Sequence, residues 1–179
     1  MTEELVILVD ENDKQLGLME KMEAHEKGLL HRAFSVFVFN NKGELLLQQR
    51  AIDKYHSGGL WTNTCCSHPR DGESVENSAH RRLQEEMGFD CTLEKKFHFI
   101  YKRELDKGLT EHELDHVFFG MYNDAPNINT EEVADYKWVN MTQLKTDMQT
   151  NPHLYTEWFK ICFDEVEKQK TNYSSNDIL

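Results

Sequence analysis

The run Ala33-Phe34-Ser35-Val36-Phe37-Val38-Phe39-Asn40 constrains the fold more than any other stretch of the chain. It is strongly apolar, rich in valine and phenylalanine, and too short for an ordinary helix, so it reads as a buried strand. Asn40-Asn41-Lys42-Gly43 supplies a turn, and Glu44 to Gln49 returns as the expected hairpin partner.

Other elements follow from the same kind of reading. Leu5 to Val9 is a strand, followed by the turn-rich Glu11 to Lys14, and Glu20 to Gly28 has a helical composition that breaks at the glycine. After the flexible Ser57-Gly58-Gly59, Leu60 to Ser67 is a further strand. Ser74 to Met87 is a helix stopped by Gly88 in its C-cap position. Leu93 to Arg103, Leu114 to Tyr122 and Val133 to Val139 are strands. Asn151-Pro152 introduces a long amphipathic helix to about Lys170, and Thr171 to Leu179 is a polar, frayed tail. The order predicts an α/β (mixed α+β) fold, a mixed sheet covered by helices on its faces, in a single domain over 1–179.

Charge narrows the function. The chain of 179 residues carries a net charge of -12, which argues against a nucleic-acid partner, because phosphate backbones demand clustered Lys and Arg. An anionic small substrate would need local cations or a recruited metal ion. No apolar stretch approaches the ~20 residues of a membrane helix, and the Leu5–Val9 run is too short for a signal-peptide core. Without a secretory signal, Cys65, Cys66, Cys91 and Cys162 read as reduced thiols, which places the protein in the cytoplasm. Nothing in the sequence chooses between a monomer and a homodimer.

Three stretches carry candidate chemistry. In an extended Trp61 to Pro69, alternate side chains share a face, so Cys66 and His68 point one way while Cys65 and Ser67 point the other. One cysteine can then sit in a pocket beside a histidine. The ordinary alternative makes both cysteines small core residues. In Thr110-Glu111-His112-Glu113-Leu114, Glu111 and Glu113 share a strand face: either two solvated carboxylates on an edge, or two that converge on a cation. His25 and His31 flank the bend at Gly28. Together His25, His31, His68, Glu111 and Glu113 would form a three-imidazole, two-carboxylate site suited to Mn²⁺, Zn²⁺ or Fe²⁺, with Mg²⁺ less natural.

The row Glu73-x7-Arg81-Arg82-Leu83-Gln84-Glu85-Glu86-Met87-Gly88-Phe89 resembles the Nudix box, Gx5Ex7REUxEExGU, where U is a bulky apolar residue. It departs twice: Ser67 stands in place of the first glycine, and Arg82 in place of the Glu of RE. An arginine there weakens a carboxylate site for cleaving pyrophosphate and offers a cation to a diphosphate instead. Further pieces are similar to the type 1 isopentenyl-diphosphate isomerases: Glu20-Lys21-x3-His25, His31-x-Ala33-Phe34-Ser35, Gln49-Arg50-Ala51, Trp61-Thr62-Asn63, Cys66-x-His68-Pro69, Glu111-x-Glu113 and Trp158. They span roughly Leu5 to Lys168 in matching order.

That resemblance implies a Nudix-like fold and the interconversion of isopentenyl and dimethylallyl diphosphate in isoprenoid biosynthesis. It implies Cys66 and Glu113 as the catalytic pair, with Tyr101 assisting. A glutamate supplied through Tyr101 and a Cys66 thiolate would exchange protons with opposite faces of the alkene, their roles depending on direction. The resemblance makes His25, His31, His68, Glu111 and Glu113 ligands of one divalent ion (Mn, Zn or Mg). Glu86 would hold a second ion, Mg²⁺, bound with the substrate diphosphate. Lys21, Arg50, Lys54 and Arg82 would contact the phosphates, and Trp158 would face the carbocation. A Nudix pyrophosphohydrolase acting on a nucleoside diphosphate derivative explains the box but leaves Cys66, the three histidines and Arg82 without work.

Overall fold

The computed structural model describes residues 4–176. Its spine is β3 (His31–Phe39), which contains the apolar run and is buried along almost its whole length. Apolar side chains on both faces explain the unbroken pattern. Phe34, Val36 and Val38 lie in one core with Ala79, Leu83 and Met87 of α2 (Val75–Met87). Phe37 and Phe39 lie in the other core with Met141, Leu144 and Met148 of α3 (Met141–Thr150) and Phe159, Phe163 and Val166 of α4 (Glu157–Asn176). A sheet with helices on both faces needs such doubly buried strands. The expected layered α/β architecture is the observed one.

Before β3, β1 (Leu5–Val9) pairs antiparallel with β2 (Gln15–Glu20), and α1 (Lys21–Lys27) leads back to the sheet, closed by Gly28 in the left-handed region. The sequence gives β2 no clear signal because its side chains stay half-buried or exposed. The long strand β8 (Thr110–Met121) runs parallel to β3 from His31↔Glu113 to Phe39↔Met121, and its other edge pairs with β7 (Leu93–Glu104). β8 is therefore interior, not an edge, and its carboxylates are not solvated.

The expected β3–β4 hairpin is corrected by the structure. β4 (Leu45–Arg50) meets β3 only at Phe39↔Leu45 and pairs along its length with β9 (Val133–Val139). The expected strand over 60–67 instead splits into β5 (Trp61–Thr62), which pairs with β4, and β6 (Cys65–Ser67), which pairs with β3. The residues between them explain both outcomes. Thr64 Oγ1 accepts from Val38 N at 2.9 Å and donates to Leu46 O at 2.6 Å, while Asn63 Nδ2 donates to Val36 O at 3.1 Å and Cys65 O at 2.8 Å. Side chains thus satisfy backbone groups that a hairpin ladder would have paired, and segment 61–67 wedges between splayed strands.

Toward the C-terminus, Asn140 caps α3, an unexpected helix whose buried Met141, Leu144 and Met148 recur at helical spacing. A short 3-10 turn over Pro152–Leu154 then precedes α4, which begins at Glu157 and runs past Lys170 to Asn176, so the frayed tail expected from Thr171 is helical over its described part. Residues 177–179 of that tail lie outside the described residues.

Gly88 ends α2 at φ 72°, where an added Cβ would lie 2.2 Å from Asn127 O. Gly88→Ala is expected to cost more than about 1 kcal/mol, since the backbone is strained for alanine and the space is filled. Urea unfolding of the variant against the parent checks this.

Candidate active site

Three strands and a loop converge on one cavity of about 580 Å³. The parallel register aligns His31 with Glu113, and the antiparallel register aligns Ser35 with Cys66. Cys66 and Glu113 are thus carried on the two strands that flank β3 on either side, and both line the cavity. Cys65 faces away into the α2 core, as alternation along a strand requires. Its Sγ lies 2.9 Å from Glu86 Oε2. Burial pushes the Cys66 thiol well up, and nearby Arg50 offsets only part of this.

The histidines cluster behind the cavity. His25 Nδ1 lies 2.7 Å from Lys21 O, and His31 Nδ1 lies 2.9 Å from Leu29 O. A carbonyl only accepts, so each Nδ1 carries a proton and each Nε2 is the ring atom that faces inward. His25 Nε2 is 2.9 Å from Glu111 Oε1, and His68 Nε2 is 3.0 Å from Glu113 Oε2. His31 Nε2 is 3.5 Å from Glu113 Oε2, out of line for a hydrogen bond, and is buried without a partner. Donor atoms of His25, His31, His68 and Glu111 all lie within 4.8 Å of one another. Inward-facing Nε2 atoms, one of them without a partner, and two carboxylates are what a divalent cation satisfies. The donor set fits one.

Charges in this cluster hold one another. Burial opposes ionisation of Glu111, yet the contacts from His25 and His56 keep it well below the usual carboxylate range. Burial and the neighbouring Glu111 both push Glu113 up, and His31 and His68 outweigh them. For His31 burial favours the neutral ring, and Glu113 and Glu111 outweigh it, so its pKa is raised. His68 is lowered because burial wins over Glu113. Tyr101 donates its hydroxyl to Glu113 and lies 3.2 Å from Glu111 Oε2. Burial and both carboxylates keep it a phenol.

The basic residues expected from the sequence lie at the same cavity. Lys21, Arg50, Lys54 and Arg82 all line it, joined by Arg70 and Arg81, which we did not anticipate as lining residues. Lys21 pairs with Glu4, and Lys54 Nζ is 3.8 Å from Glu132. Arg82 Nη2 contacts Glu86 at 3.0 Å and Glu132 at 2.7 Å. Arg50 Nε and Arg82 Nε are buried with no acceptor among the described residues. Trp158 also lines the cavity, with the Arg50 guanidinium 5.3 Å from its ring centre. Both Glu86 oxygens are engaged, one by Arg82 and the other by Cys65 and Gln48.

Two residues at the site went unnoticed in the sequence. Asp115 continues the alternation Glu111, Glu113, Asp115 on β8 and accepts from Ser35 Oγ at 2.7 Å. Burial, reinforced by Glu113, raises it well above the usual carboxylate range. The spacing alone could have found it. His56 reaches Glu111 Oε1 at 3.0 Å from the 51–60 loop. Only its place just before Ser57-Gly58-Gly59 was visible, which is no signal for such a contact.

Comparison with known proteins agrees with this geometry. The NUDIX domain family matches residues 29–159. An isopentenyl-diphosphate Delta-isomerase 2 of Photorhabdus laumondii is 56% identical over 158 residues, covering 88% of this chain and 89% of that protein. The protein of the same name from Aromatoleum aromaticum is 52% identical over 164 residues, covering 92% and 87%. Among solved structures, DR0079 of Deinococcus radiodurans is similar in fold at TM-score 0.69 and 18% identity, covering 83% of this chain and 90% of that one. A MutT protein of Methanosarcina mazei is similar at TM-score 0.63 and 18% identity, covering 78% and 94%. With half of its residues shared across most of its length, the chain belongs to the Nudix family and, within it, to the isopentenyl-diphosphate Delta-isomerases.

Proposed function

We propose that this chain interconverts isopentenyl diphosphate and dimethylallyl diphosphate by adding a proton at one end of a three-carbon unit and removing one from the other. The carrying observation is that Cys66 and Glu113, from strands on either side of β3, open into one cavity beside an imidazole–carboxylate cluster. An alkene is a very weak base, so its protonation leaves a tertiary carbocation. Loss of the allylic proton from the neighbouring carbon then restores a double bond one position along. The two steps need one acid and one base, both held in place.

Burial favours the protonated form of Cys66, while His31 and His68 favour the ionised form of Glu113. One direction therefore starts with the thiol giving and the carboxylate taking, and the reverse direction exchanges those roles. Tyr101, bonded to Glu113, orients that carboxylate and can pass it a proton. Trp158 offers an aromatic face to the cation, worth about 2 kcal/mol when desolvated, with no nucleophile to trap it. Substrate filling the cavity would have to exclude the water that would capture the cation as an alcohol.

His25, His31, His68, Glu111 and Glu113 would hold a divalent ion, with Mn²⁺ or Zn²⁺ the natural choice for three imidazoles. Such an ion would supply fixed positive charge that holds both carboxylates in place. Lys21, Arg50, Lys54 and Arg82 bind the diphosphate, which serves as a handle remote from the chemistry. Glu86 would offer its carboxylate to a Mg²⁺ bound with the diphosphate. Four free cysteines suit a reducing, cytoplasmic setting, and no helix among the described residues is long and apolar enough to cross a membrane.

Purified protein incubated with Mg²⁺ and isopentenyl diphosphate should yield the allylic isomer with no released phosphate. Activity should vanish after chelation and return with added ion. Phosphate release without allylic product would replace this reading with that of a pyrophosphohydrolase, and no reaction at all would remove the catalytic reading.

A further inference from the structure

We infer that His56 is a positioning residue for the ion site: its Nε2–H holds the Glu111 carboxylate in the attitude in which an ion bound by His25, His31 and His68 meets it. The inference rests on the metal reading above and adds to it a residue outside the ligand set.

The argument lies in which contacts to Glu111 are true hydrogen bonds. Oε1 has two imidazole nitrogens near it, His25 Nε2 at 2.9 Å and His56 Nε2 at 3.0 Å. They are not equivalent. Lys21 O accepts the Nδ1 proton of His25, so Nε2 is the atom a bound ion would take, and His25 would then have no proton left for Glu111. His56 Nδ1 instead lies 3.1 Å from Ser57 Oγ, a hydroxyl that can donate. Nδ1 can then accept, which leaves Nε2 to carry the proton and give it to Glu111. The other donor, Tyr101, is 3.2 Å from Oε2 and shares its single proton with Glu113. Among the described residues His56 is therefore the donor to Glu111 that a bound ion would leave in place.

The ring is built to stay there. His56 is 1% exposed. Its carbonyl accepts from Arg50 Nη2 at 3.1 Å, and the next amide, Ser57 N, donates to Asp106 Oδ1 at 3.1 Å. Gly58 lets the loop close tightly, since a Cβ there would lie 2.3 Å from Ile52 O. Tyr55 and Trp158 flank the imidazole edge-on, at 4.2 Å and 5.7 Å between ring centres. A donor locked by packing and aimed at a ligating carboxylate is the usual arrangement of an outer-sphere group, whose loss typically weakens metal affinity by roughly 10–100-fold.

The test measures Zn²⁺ affinity of chelator-stripped protein by competition with a chromophoric chelator, independently of turnover. His56→Leu keeps bulk and removes the donor; His56→Gln keeps an amide donor of similar reach. The leucine variant should lose roughly 10–100-fold in affinity, and the glutamine variant should recover most of it. Should the leucine variant fail to fold, His56→Asn, whose amide is too short to reach Glu111, takes its place with the same expectation. Unchanged affinity in the donor-less variant overturns the inference, as does an equal loss in the glutamine variant at native circular dichroism, which would make the role one of packing. Wild-type protein that takes up no Zn²⁺ would instead overturn the metal reading on which the inference stands.

Discussion

Replacing Cys66 by alanine should lower isomerase turnover by roughly 10²–10⁴-fold, the range that a positioned acid or base contributes, whereas Cys65→Ala should keep most of it. The two residues are chemically identical and adjacent, so the contrast isolates geometry. Cys66 lines the cavity opposite Ser35. Cys65 lies fully buried against α2, where its thiol donates to Glu86. Its loss removes one donor from a carboxylate that Gln48 and Arg82 still hold. Steady-state kcat of both variants with isopentenyl diphosphate decides the matter, and equal losses would refute the alternating-face placement.

Glu113→Gln should abolish both ion uptake and turnover. The carboxylate faces His68 at 3.0 Å and His31 at 3.5 Å and accepts from Tyr101. An amide removes the charge, and it offers one weakly basic oxygen where the cluster had two anionic ones. An ion that binds only the folded state raises stability by RT ln(1 + [L]/Kd), about 2.7 kcal/mol at a hundredfold excess over Kd. Added Mn²⁺ should therefore raise the Tm of the parent and leave that of the variant unmoved. Relief of repulsion from Glu111 should keep the ion-free variant folded. Turnover near the parent value would remove Glu113 from the chemistry.

The sequence made legible what rests on strong local patterns. Apolar β3, the capped α2 with Gly88, and the alternation of Cys65 and Cys66 all depend on near-neighbour chemistry and survive in three dimensions. What it hid depends on long-range partners. Edge strand β2 buries too little to announce itself, and α3 is short, with polar residues filling most of its surface. The hairpin expectation failed because Asn63 and Thr64, remote from the turn, supply the hydrogen bonds that separate β3 from β4. At the site, the family motifs pointed to His25, His31, His68 and Glu111, whose donor atoms lie within 4.8 Å of one another, while His56 stayed hidden because its contact with Glu111 spans 55 residues and no motif marks it.

The wedge of residues 61–67 also decides which of two twin sulfurs meets the cavity. A slip of one position in that segment would turn Cys65 inward to the substrate side and bury Cys66 beneath α2, since neighbouring strand residues exchange faces. Asn63 and Thr64 clamp the segment to Val36, Val38 and Leu46 and so forbid the slip. Their work is informational as much as mechanical: in a doublet that cannot be told apart by its chemistry, they write the address of the reactive atom.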